Sequence, residues 1–470
     1  MNFSAINFWV FLSCGVGTIL LLRAFASFFF TTQNNLVDRV LLAALSLMLL
    51  GYESLLTLGV FLLVMFITYF SMMYVRHMPE HLKKTLLGVL VFLQFTPLLY
   101  YKYTSFLVND VLGADISYFR LLLIPVGISF YTFQMVGFVI DYYHAHKDYP
   151  SFLDTLNFSS FFPQIVAGPI ERKERLLSQM QRFHFQFSLK NLDRGLRWVV
   201  LGLFFKLCVA DNVSDSFDWI GRTSDNAYEI WLGTMAFAFR IYFDFAGYSL
   251  IALGLGKMFG VDLMLNFTSP YTARNIQEFW HRWHRSLSTW FRDYLYIPLG
   301  GSRSKFWALN LLVVFVVSGI WHGAGWNFIM WGAAHGILLA IYRLVKGRVS
   351  MPSSAAWALT MLFVVWTWLF FYQTDVSVLM AKLRSLFSFG SYGLDNLLQT
   401  RSLFGGLGNL INAGFWLGLA MFVVLLEYFS SKKGCGPYDL FLNSHVNTVL
   451  AIVTLITAPV VQNGFIYFSF

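Results

Sequence analysis

The stretch GIWHGAGW, residues 319–326, decides how the second half of the chain folds, because it breaks two long apolar runs. The glycines on both sides of His322 let the backbone bend and allow another group to approach closely. An imidazole between two apolar runs is costly inside a lipid bilayer, and such ionisable groups usually face a cavity or a partner and mark function. The sequence therefore predicts a bend here, with His322 as the first candidate functional residue.

The composition around this stretch indicates a protein built for lipid. Of the 470 residues, 57% are hydrophobic and 12% are charged, whereas soluble proteins average about 45–50% and about 25%. The mean hydropathy is +0.61. The prediction is an all-α polytopic membrane protein with about 10 to 13 membrane segments, some of them short or broken. Several of the apolar runs reach or approach the roughly 20 residues needed to cross a hydrocarbon core. The runs are Leu41–Leu50, Leu55–Phe70, Leu86–Tyr101, Phe306–Ile320, Ala355–Phe371, Leu417–Leu426 and Val446–Val461.

The charge and the cysteines exclude several other classes of protein. The net charge of +9 does not predict nucleic-acid binding, since the basic residues cluster in short loops between apolar runs. That placement is typical of contact with anionic membrane lipid and of the positive-inside bias. Cys14, Cys208 and Cys435 lack metal or redox spacing. The first 30 residues predict a retained helix and not a signal peptide, and residues 1–470 are predicted to form one membrane domain.

Basic loops orient the chain in the membrane. Three are predicted to be cytoplasmic by the positive-inside rule: Glu171–Arg197, Arg274–Lys305 and Arg343–Arg348. The segment Phe306–Tyr342 between the last two is slightly shorter than the roughly 40 residues that two full spans need. His322 is therefore predicted at the tip of a short hairpin or at a constriction. Continuing the alternation places the C-terminus on the outer side of the membrane.

The segment EFWHRWHRSLSTW, which begins at Glu278, combines aromatic and basic residues. On one helix His281 and His284 would share a face, with Glu278 one turn earlier. This spacing is half of a di-iron site, but such a site needs two copies and further carboxylates, so no metal is predicted. An interfacial helix with aromatic anchors remains open. Arg282 and Arg285 favour a surface for an anionic phosphorylated carrier, because guanidinium groups pair well with phosphate oxygens.

Other polar or helix-breaking residues also interrupt apolar runs. Asp244 follows Arg240 by one turn, and the sequence leaves open a structural ion pair or the polar wall of a reaction cavity. Pro125–Gln134 and Phe161–Ile170 mix Pro and Gly with apolar residues. Non-helical backbone at membrane depth is tolerated only inside protein or along a water cavity, so these predict broken or re-entrant segments, with a simple kink as the alternative. His335 is predicted to be a packing residue.

Taken in order, these motifs resemble those of the membrane-bound O-acyltransferase (MBOAT) family. The similarity is to its bacterial branch, which includes alginate O-acetyltransferase and the D-alanyl transfer protein of teichoic acid synthesis. It covers a motif-rich core from about Pro125 to Gly336 and returns at residues 465–470. It rests on the Pro125, Phe161 and Asp244 segments, on residues 274–301 and on Trp321–Ala324.

The resemblance implies a fold in which funnels from both faces meet at a thin core, with His322 as the catalytic histidine and His284 as its partner. The final FIYFSF resembles a motif of polymer-modifying systems in which a tyrosine holds the acyl group in transit, and Tyr467 matches that tyrosine. The residues expected to bind the donor or substrate are Asp244, Glu278, His281, Arg282, Arg285 and Trp321.

The expected reaction is transfer of an acyl group, with acetyl-CoA as the donor and no metal cofactor. The expected partners are a polysaccharide acceptor, membrane lipid and a second acyltransferase that is periplasmic or membrane-anchored. In this hypothesis His322 acts as general base on Tyr467, whose phenol has an ordinary pKa of about 10 and ionises more readily than a sugar alcohol. Two alternatives stay open: a multi-pass transporter or flippase, and an acyltransferase that acts directly on a lipid.

Overall fold

In the computed structural model the protein is helical throughout its described part. The described residues are 3–466 except 4, 30–34, 78, 146–148, 167, 187, 218–219, 221–225, 433 and 460–462. Across these ranges the backbone forms helices, turns and loops and no strand. The predicted all-α class is confirmed.

Twenty-two α-helices follow one another along the described residues. The first eleven are α1 Ile6–Phe29, α2 Asn35–Glu53, α3 Leu55–His77, α4 Glu80–Leu98, α5 Ser117–Arg120, α6 Ile128–Ala145, α7 Phe152–Ser160, α8 Phe162–Ile165, α9 Lys173–Gln181, α10 Leu189–Leu203 and α11 Asn212–Phe217. The others are α12 Ala227–Met258, α13 Ile276–Arg282, α14 Arg285–Phe291, α15 Trp307–His322, α16 Trp326–Val345, α17 Ser353–Tyr372, α18 Val376–Leu386, α19 Leu394–Ser402, α20 Leu407–Lys432, α21 Asp439–Leu442 and α22 Ser444–Thr457.

Shorter helical turns of other types connect several of these helices. The π-helical turns are Leu99–Tyr103, Phe106–Val111, Phe204–Asp211 and Arg292–Tyr296. The 3₁₀ turns are Pro270–Thr272, Gly301–Arg303 and Phe389–Tyr392.

Eight helices in the described part are long and apolar enough to cross a membrane: α1, α2, α3, α4 with the π-helical turn after it, α12, α16, α17 and α20. Two shorter apolar helices, α15 and α22, are 16 and 14 residues long. With them the count reaches the lower end of the predicted range. The protein is a multi-pass membrane protein.

The chain divides into two compact units. Unit 1 comprises Met1–Val199 and Ser249–Leu265, and unit 2 comprises Val200–Tyr248 and Asn266–Phe470. The single membrane domain stays a prediction.

Within unit 1, the backbones of the two Pro- and Gly-containing segments, Pro125–Gln134 and Phe161–Ile170, are in contact near Gly127. Gly127 has a φ of +75°, and a Cβ atom there would lie 2.9 Å from the carbonyl oxygen of Ile165 and 3.2 Å from the Cα of Val166. Only glycine combines this left-handed conformation with so close an approach. The second segment is also broken, because α7 ends at Ser160 and α8 begins at Phe162. Both predicted breaks in helical structure are confirmed.

Within unit 2, α15 and α16 form a hairpin whose two backbones touch. Gly319 faces the carbonyl oxygen of Phe328, and Gly332 faces that of Phe315, at distances that leave no room for a Cβ atom. A Cβ atom at Gly336 would lie 3.0 Å from the Cα of Leu312. Small residues allow such close packing of helices where lipid offers no hydrophobic driving force. The bend predicted at residues 319–326 is confirmed, and His322 is the last residue of α15.

Candidate active site

His284 lies in a sharp reversal of the chain, and the prediction that it shares a helical face with His281 is wrong. The helix α13 ends before it, and its φ of +41° lies in the left-handed region. Asn266 holds the turn, because its carbonyl oxygen accepts from Arg285 N at 2.9 Å and its side chain accepts from Ser286 N at 3.2 Å. The reversal buries His284 completely and leaves His281 exposed.

The indole of Trp321 contacts both His284 and His322, the two candidate catalytic histidines. Its ring centroid is 5.8 Å from that of His284 and 4.8 Å from that of His322. Trp331 and Phe371 cover His322 with edge-on rings at 5.2 and 5.3 Å. Both imidazoles are buried, with 0% of His284 and 3% of His322 exposed. The structure thus brings three predicted site residues into one aromatic cluster.

The environment of His284 decides its protonation state. His284 lies in the link from α13 to α14, outside the helices that are long enough to cross a membrane. Burial lowers its pKa to about 3, because an imidazolium is poorly solvated in an apolar setting. The neutral ring keeps one nitrogen that can accept a proton or a hydrogen bond. Its Nδ1 lies 3.5 Å from Ser286 Oγ.

A cavity of about 810 Å³ in unit 2 is lined by basic and by apolar side chains. No acidic side chain is among the described residues that line it. Its apolar wall includes Leu311, Val314 and Phe315 of α15, and it extends along this helix to Ser318, one turn before His322. Its basic lining side chains are His281, Arg285, Arg292, Arg343 and Lys346. The combination suits an anionic molecule that carries an apolar or neutral arm.

Two of the predicted binding residues instead brace the local backbone. Glu278 pairs with Arg282 one turn later and accepts a hydrogen bond from Arg274 N at 2.7 Å. Arg282 also donates to the hydroxyl of Thr272. Neither Glu278 nor Arg282 lines the cavity, whereas His281 and Arg285 do. Donor binding thus stays a prediction for all four residues. Only His281 and Arg285 have direct geometric support, because they line the cavity.

Asp244 forms a buried ion pair with Lys206, a partner that the sequence did not indicate. Lys206 Nζ lies 2.6 Å from Asp244 Oδ1 and 2.8 Å from Asp211 Oδ1. All three side chains are only 1% exposed. Sequence reasoning missed Lys206 and Asp211, although a lysine and an aspartate within the run LGLFFKLCVAD were a readable signal.

Tyr467 lies outside the described residues, but the residues just before it are described. Phe465 is buried, and its ring centroid is 5.8 Å from that of Phe245. Phe245 in turn contacts the imidazole of His284 at 4.7 Å. The described end of the chain therefore packs beside one of the two candidate catalytic histidines.

The remaining histidine of the hairpin has a packing role. His335 is buried, accepts a hydrogen bond from Trp280 Nε1 at 3.3 Å and lies 3.0 Å from Thr367 Oγ1.

Across the described ranges, no three His, Cys, Asp or Glu side chains converge on one point that could hold a metal ion.

Two buried histidines that contact Trp321, and a cavity with basic lining that extends to within one helical turn of His322, are features expected of an enzyme embedded in the membrane. The family model described as MBOAT, membrane-bound O-acyltransferase family, matches residues 45–382. The chain belongs to this family and is an O-acyltransferase.

Three similar proteins indicate where in the family the chain lies. The peptidoglycan O-acetyltransferase of Helicobacter pylori is 31% identical over 84% of this chain and 81% of its own length. A probable alginate O-acetylase, AlgI, of Pseudomonas aeruginosa is 37% identical over 72% of this chain and 66% of its own. The teichoic acid D-alanyltransferase of Streptococcus thermophilus is 31% identical over 46% of this chain and 56% of its own. The chain thus spans most of the first relative and about two thirds or less of the other two.

Proposed function

We propose that the protein takes an acetyl group from acetyl-CoA on the cytoplasmic side of a bacterial inner membrane and passes it outward for O-acetylation of a cell-surface or secreted polysaccharide. The observation that carries this proposal is the arrangement of His284, Trp321 and His322 beside a cationic cavity that extends to within one helical turn of His322. The names of the O-acetylating relatives, which act on peptidoglycan and alginate, favour acetyl and a polysaccharide.

The cavity supports acetyl-CoA as the donor. Arginine and lysine side chains bind phosphate groups, and five basic residues line this cavity. The phosphates would rest on these side chains, and the neutral arm that carries the thioester would follow the apolar wall of α15 toward His322. The basic residues of the cavity come from two segments, 274–305 and 343–348, that the positive-inside rule assigns to the cytoplasm, where acetyl-CoA is found.

The chemistry requires a base, and His322 is proposed to supply it. Its imidazole accepts the proton of the Tyr467 hydroxyl while the phenolic oxygen attacks the thioester carbonyl. The carbon–sulfur bond breaks, and the thiolate of coenzyme A leaves with a proton from the imidazolium. His284, on the other side of Trp321, is proposed to orient the reacting carbonyl or hydroxyl. The resulting aryl ester stays reactive enough to pass its acetyl group to a sugar hydroxyl.

A second acyltransferase, periplasmic or membrane-anchored, is proposed to complete the transfer. The relay places the acetylated tyrosine on the outer side, as the alternation of basic loops requires for the C-terminus. A charged coenzyme then never crosses the membrane, because only the acetyl group does.

The test is covalent labelling of the purified protein with radiolabelled acetyl-CoA. Wild type is expected to take up label at Tyr467, while His322→Ala and Tyr467→Phe take up none and stay folded. His445→Ala, which changes an exposed histidine of α22, is the matched control and should label normally.

Three results would contradict the proposal in different ways. Wild-type transfer by Tyr467→Phe removes the tyrosine relay. Label that moves straight to a lipid indicates a lipid acceptor. Absence of labelling, together with movement of a substrate across vesicle membranes, favours a transporter.

A further inference from the structure

The π-helical turn Phe204–Asp211 presents two opposite charges on one face in the core of unit 2. In a π-helix the backbone bonds join residues five apart, so Lys206 and Asp211 fall one above the other. Lys206 bridges Asp211 and Asp244 at 2.8 and 2.6 Å. Taking these charges out of water costs free energy that their mutual attraction offsets only in part, so stability alone does not account for such a buried cluster.

A glycine lets α12 reach this cluster. Gly247 lies one turn after Asp244. A Cβ atom at Gly247 would lie 2.7 Å from the carbonyl oxygen of Gly202 and 3.1 Å from the backbone nitrogen of Lys206. The backbones of α12 and the π-helical turn are therefore in direct contact. This close approach is what brings Asp244 within reach of the ammonium group of Lys206.

The cluster binds backbone atoms of the C-terminal tail, defined here as residues 463–466. Ile466 N donates to Asp244 Oδ2 at 2.7 Å, and Lys206 Nζ lies 3.5 Å from the carbonyl oxygen of Gly464. Between these two contacts, the ring of Phe465 stacks on Tyr248 with centroids 4.1 Å apart. Phe465 and Ile466 are 1% and 4% exposed. The tail is held at three successive residues.

Two further contacts extend the attachment toward α22. Asn212 Nδ2 donates to the carbonyl oxygen of Thr457 at 3.1 Å. Asn463 Nδ2 donates to Asp215 Oδ1 at 2.9 Å. The π-helical turn and α11 together thus form the platform on which the described end of the chain lies.

We propose that Lys206, Asp211 and Asp244 form an anchor that holds the C-terminal tail beside His284, which makes Asp244 a positioning residue for the tail and not a donor-binding residue. Its consequence for the reaction rests on the proposed tyrosine relay: the anchor fixes the residue immediately before Tyr467 and so sets where the acceptor hydroxyl is presented. Phe245, the neighbour of Asp244, contacts both Phe465 and His284 and links the anchor to the histidines.

Two substitutions at Asp244 separate the anchor from a merely structural role. Asp244→Asn keeps an oxygen that accepts from Ile466 N, whereas Asp244→Leu has a similar size and no acceptor. Both leave Lys206 paired with Asp211. Amide hydrogen exchange of the C-terminal peptide, measured by mass spectrometry on the purified full-length protein without donor, should be about ten- to a hundredfold faster at Ile466 in Asp244→Leu. In Asp244→Asn it should stay near the wild-type rate.

The control is Asp262→Asn, which removes an exposed ion pair with Lys257 at 2.7 Å and should leave exchange at Ile466 unchanged. Exchange at the wild-type rate in Asp244→Leu, or an equal acceleration in both Asp244 variants, overturns the anchor.

A kinetic measurement then tests the consequence for the reaction. The initial rate of acetyl labelling should be about a hundredfold lower in Asp244→Leu than in Asp244→Asn, because a misplacement near 1 Å has that effect. The KM for acetyl-CoA should be the same in both variants. Equal rates overturn the positioning role. If wild type takes no label while exchange still separates the two variants, the relay fails and the anchor stands.

Discussion

At the scale of single residues, His284 is the most constrained position of the candidate site. A left-handed conformation is uncommon outside glycine, although Asn, Asp and His adopt it more readily than other residues. Such strain, of order 1–3 kcal/mol, persists only where the surroundings over-determine it, and it concentrates at functional sites. The hydrogen bonds to Asn266 and the contacts with Phe245 and Trp321 supply those surroundings.

The buried neutral state of His284 predicts a specific loss of stability in acid. Its pKa is about 3 in the folded protein and about 6.5 in the unfolded chain, so only the unfolded chain binds the proton between these values. Acidification from about pH 6.5 to 5 should therefore lower the free energy of unfolding by about 1.5 kcal/mol through this residue. In the His284→Asn variant, the free energy of unfolding should fall less over the same pH change. Asparagine is a suitable replacement because it also adopts the left-handed conformation.

Thermal unfolding in detergent at both pH values measures this difference. An identical shift of Tm in wild type and His284→Asn would show that His284 does not carry it.

At the residue scale, the sequence predicted the local bend of the backbone but not the tertiary contacts of the side chains. His322 stood out because an imidazole, two glycines and an apolar context all lie within eight residues. Asp244 and Lys206 lie on different helical segments, far apart in the sequence. A periodic pattern of residues therefore cannot indicate that they are in contact. Arg240, one turn from Asp244, was the plausible local partner, but the structure pairs Asp244 with the more distant lysine.

At the scale of elements, the hairpin of α15 and α16 depends on glycines that have no substitute. Gly332→Ala would drive a methyl group into the carbonyl oxygen of Phe315. Overpacking of this kind destabilises by about 1–3 kcal/mol, and because the hairpin carries His322, the proposed acetyl transfer should fall as well. Gly418→Ala in α20 has open space around it and should stabilise slightly, since alanine favours a helix by about 1 kcal/mol over glycine.

The two Tm values in detergent distinguish steric overlap from a general preference for alanine. A Gly332→Ala protein as stable as wild type would contradict backbone contact in the hairpin.

The cavity wall contributed by the end of α16 gives a second prediction at this scale. Lys346 lines the cavity and donates to Gln277 Oε1 at 3.4 Å. If it contacts donor phosphates, Lys346→Ala should raise the KM for acetyl-CoA about two- to fivefold, as expected for one partly screened ion pair. The maximal rate should change little, because the contact is the same in the ground state and the transition state.

Added salt should reduce the difference between the two proteins. Lys257→Ala, which removes a basic residue that does not line the cavity, is the control. A fall in maximal rate with no change in KM would argue against donor contact.

Helix boundaries show why one element was mispredicted. The spacing of Glu278, His281 and His284 fits a continuous helix, and the residues up to Arg282 do form one. The chain reverses at His284 because Asn266, far away in sequence, accepts the backbone hydrogens of the turn. A local pattern carries no information about such a partner. The Gly-flanked break at residues 323–325 was predictable, since glycine itself permits it.

At the scale of the whole molecule, the distribution of basic loops predicts the topology. The positive-inside rule places residues 343–348 in the cytoplasm and the segment after α17 outside. A variant without native cysteines that carries Ser388→Cys should react with a membrane-impermeant maleimide on intact spheroplasts. One that carries Ser350→Cys should react only after permeabilisation, because the positive-inside rule assigns its loop to the cytoplasm.

Both positions are exposed in the structure, so accessibility to reagent reports on sidedness. The reverse labelling pattern would invert the topology and remove the outward relay.

Whole-molecule class was predictable from composition, whereas the internal organisation was not. Apolar runs and 12% charged residues indicate a multi-pass helical protein, and the structure has eight spans of sufficient length in its described part. The π-helical turns and the attachment of the tail depend on how distant segments pack. Hydropathy reports only which residues avoid water, and it says nothing about which of them touch each other.

The hairpin of α15 and α16 also determines which positions of α15 tolerate substitution. On one face of α15, the backbone at Gly319 contacts the backbone of α16 at Phe328, so there is no space for a side chain at position 319. The opposite stripe, Leu309, Val313 and Val317, is 37–56% exposed and needs only to be apolar. A saturation library of this helix should therefore split into two populations, with nearly every substitution at Gly319 lost and most apolar exchanges along the stripe surviving selection for activity.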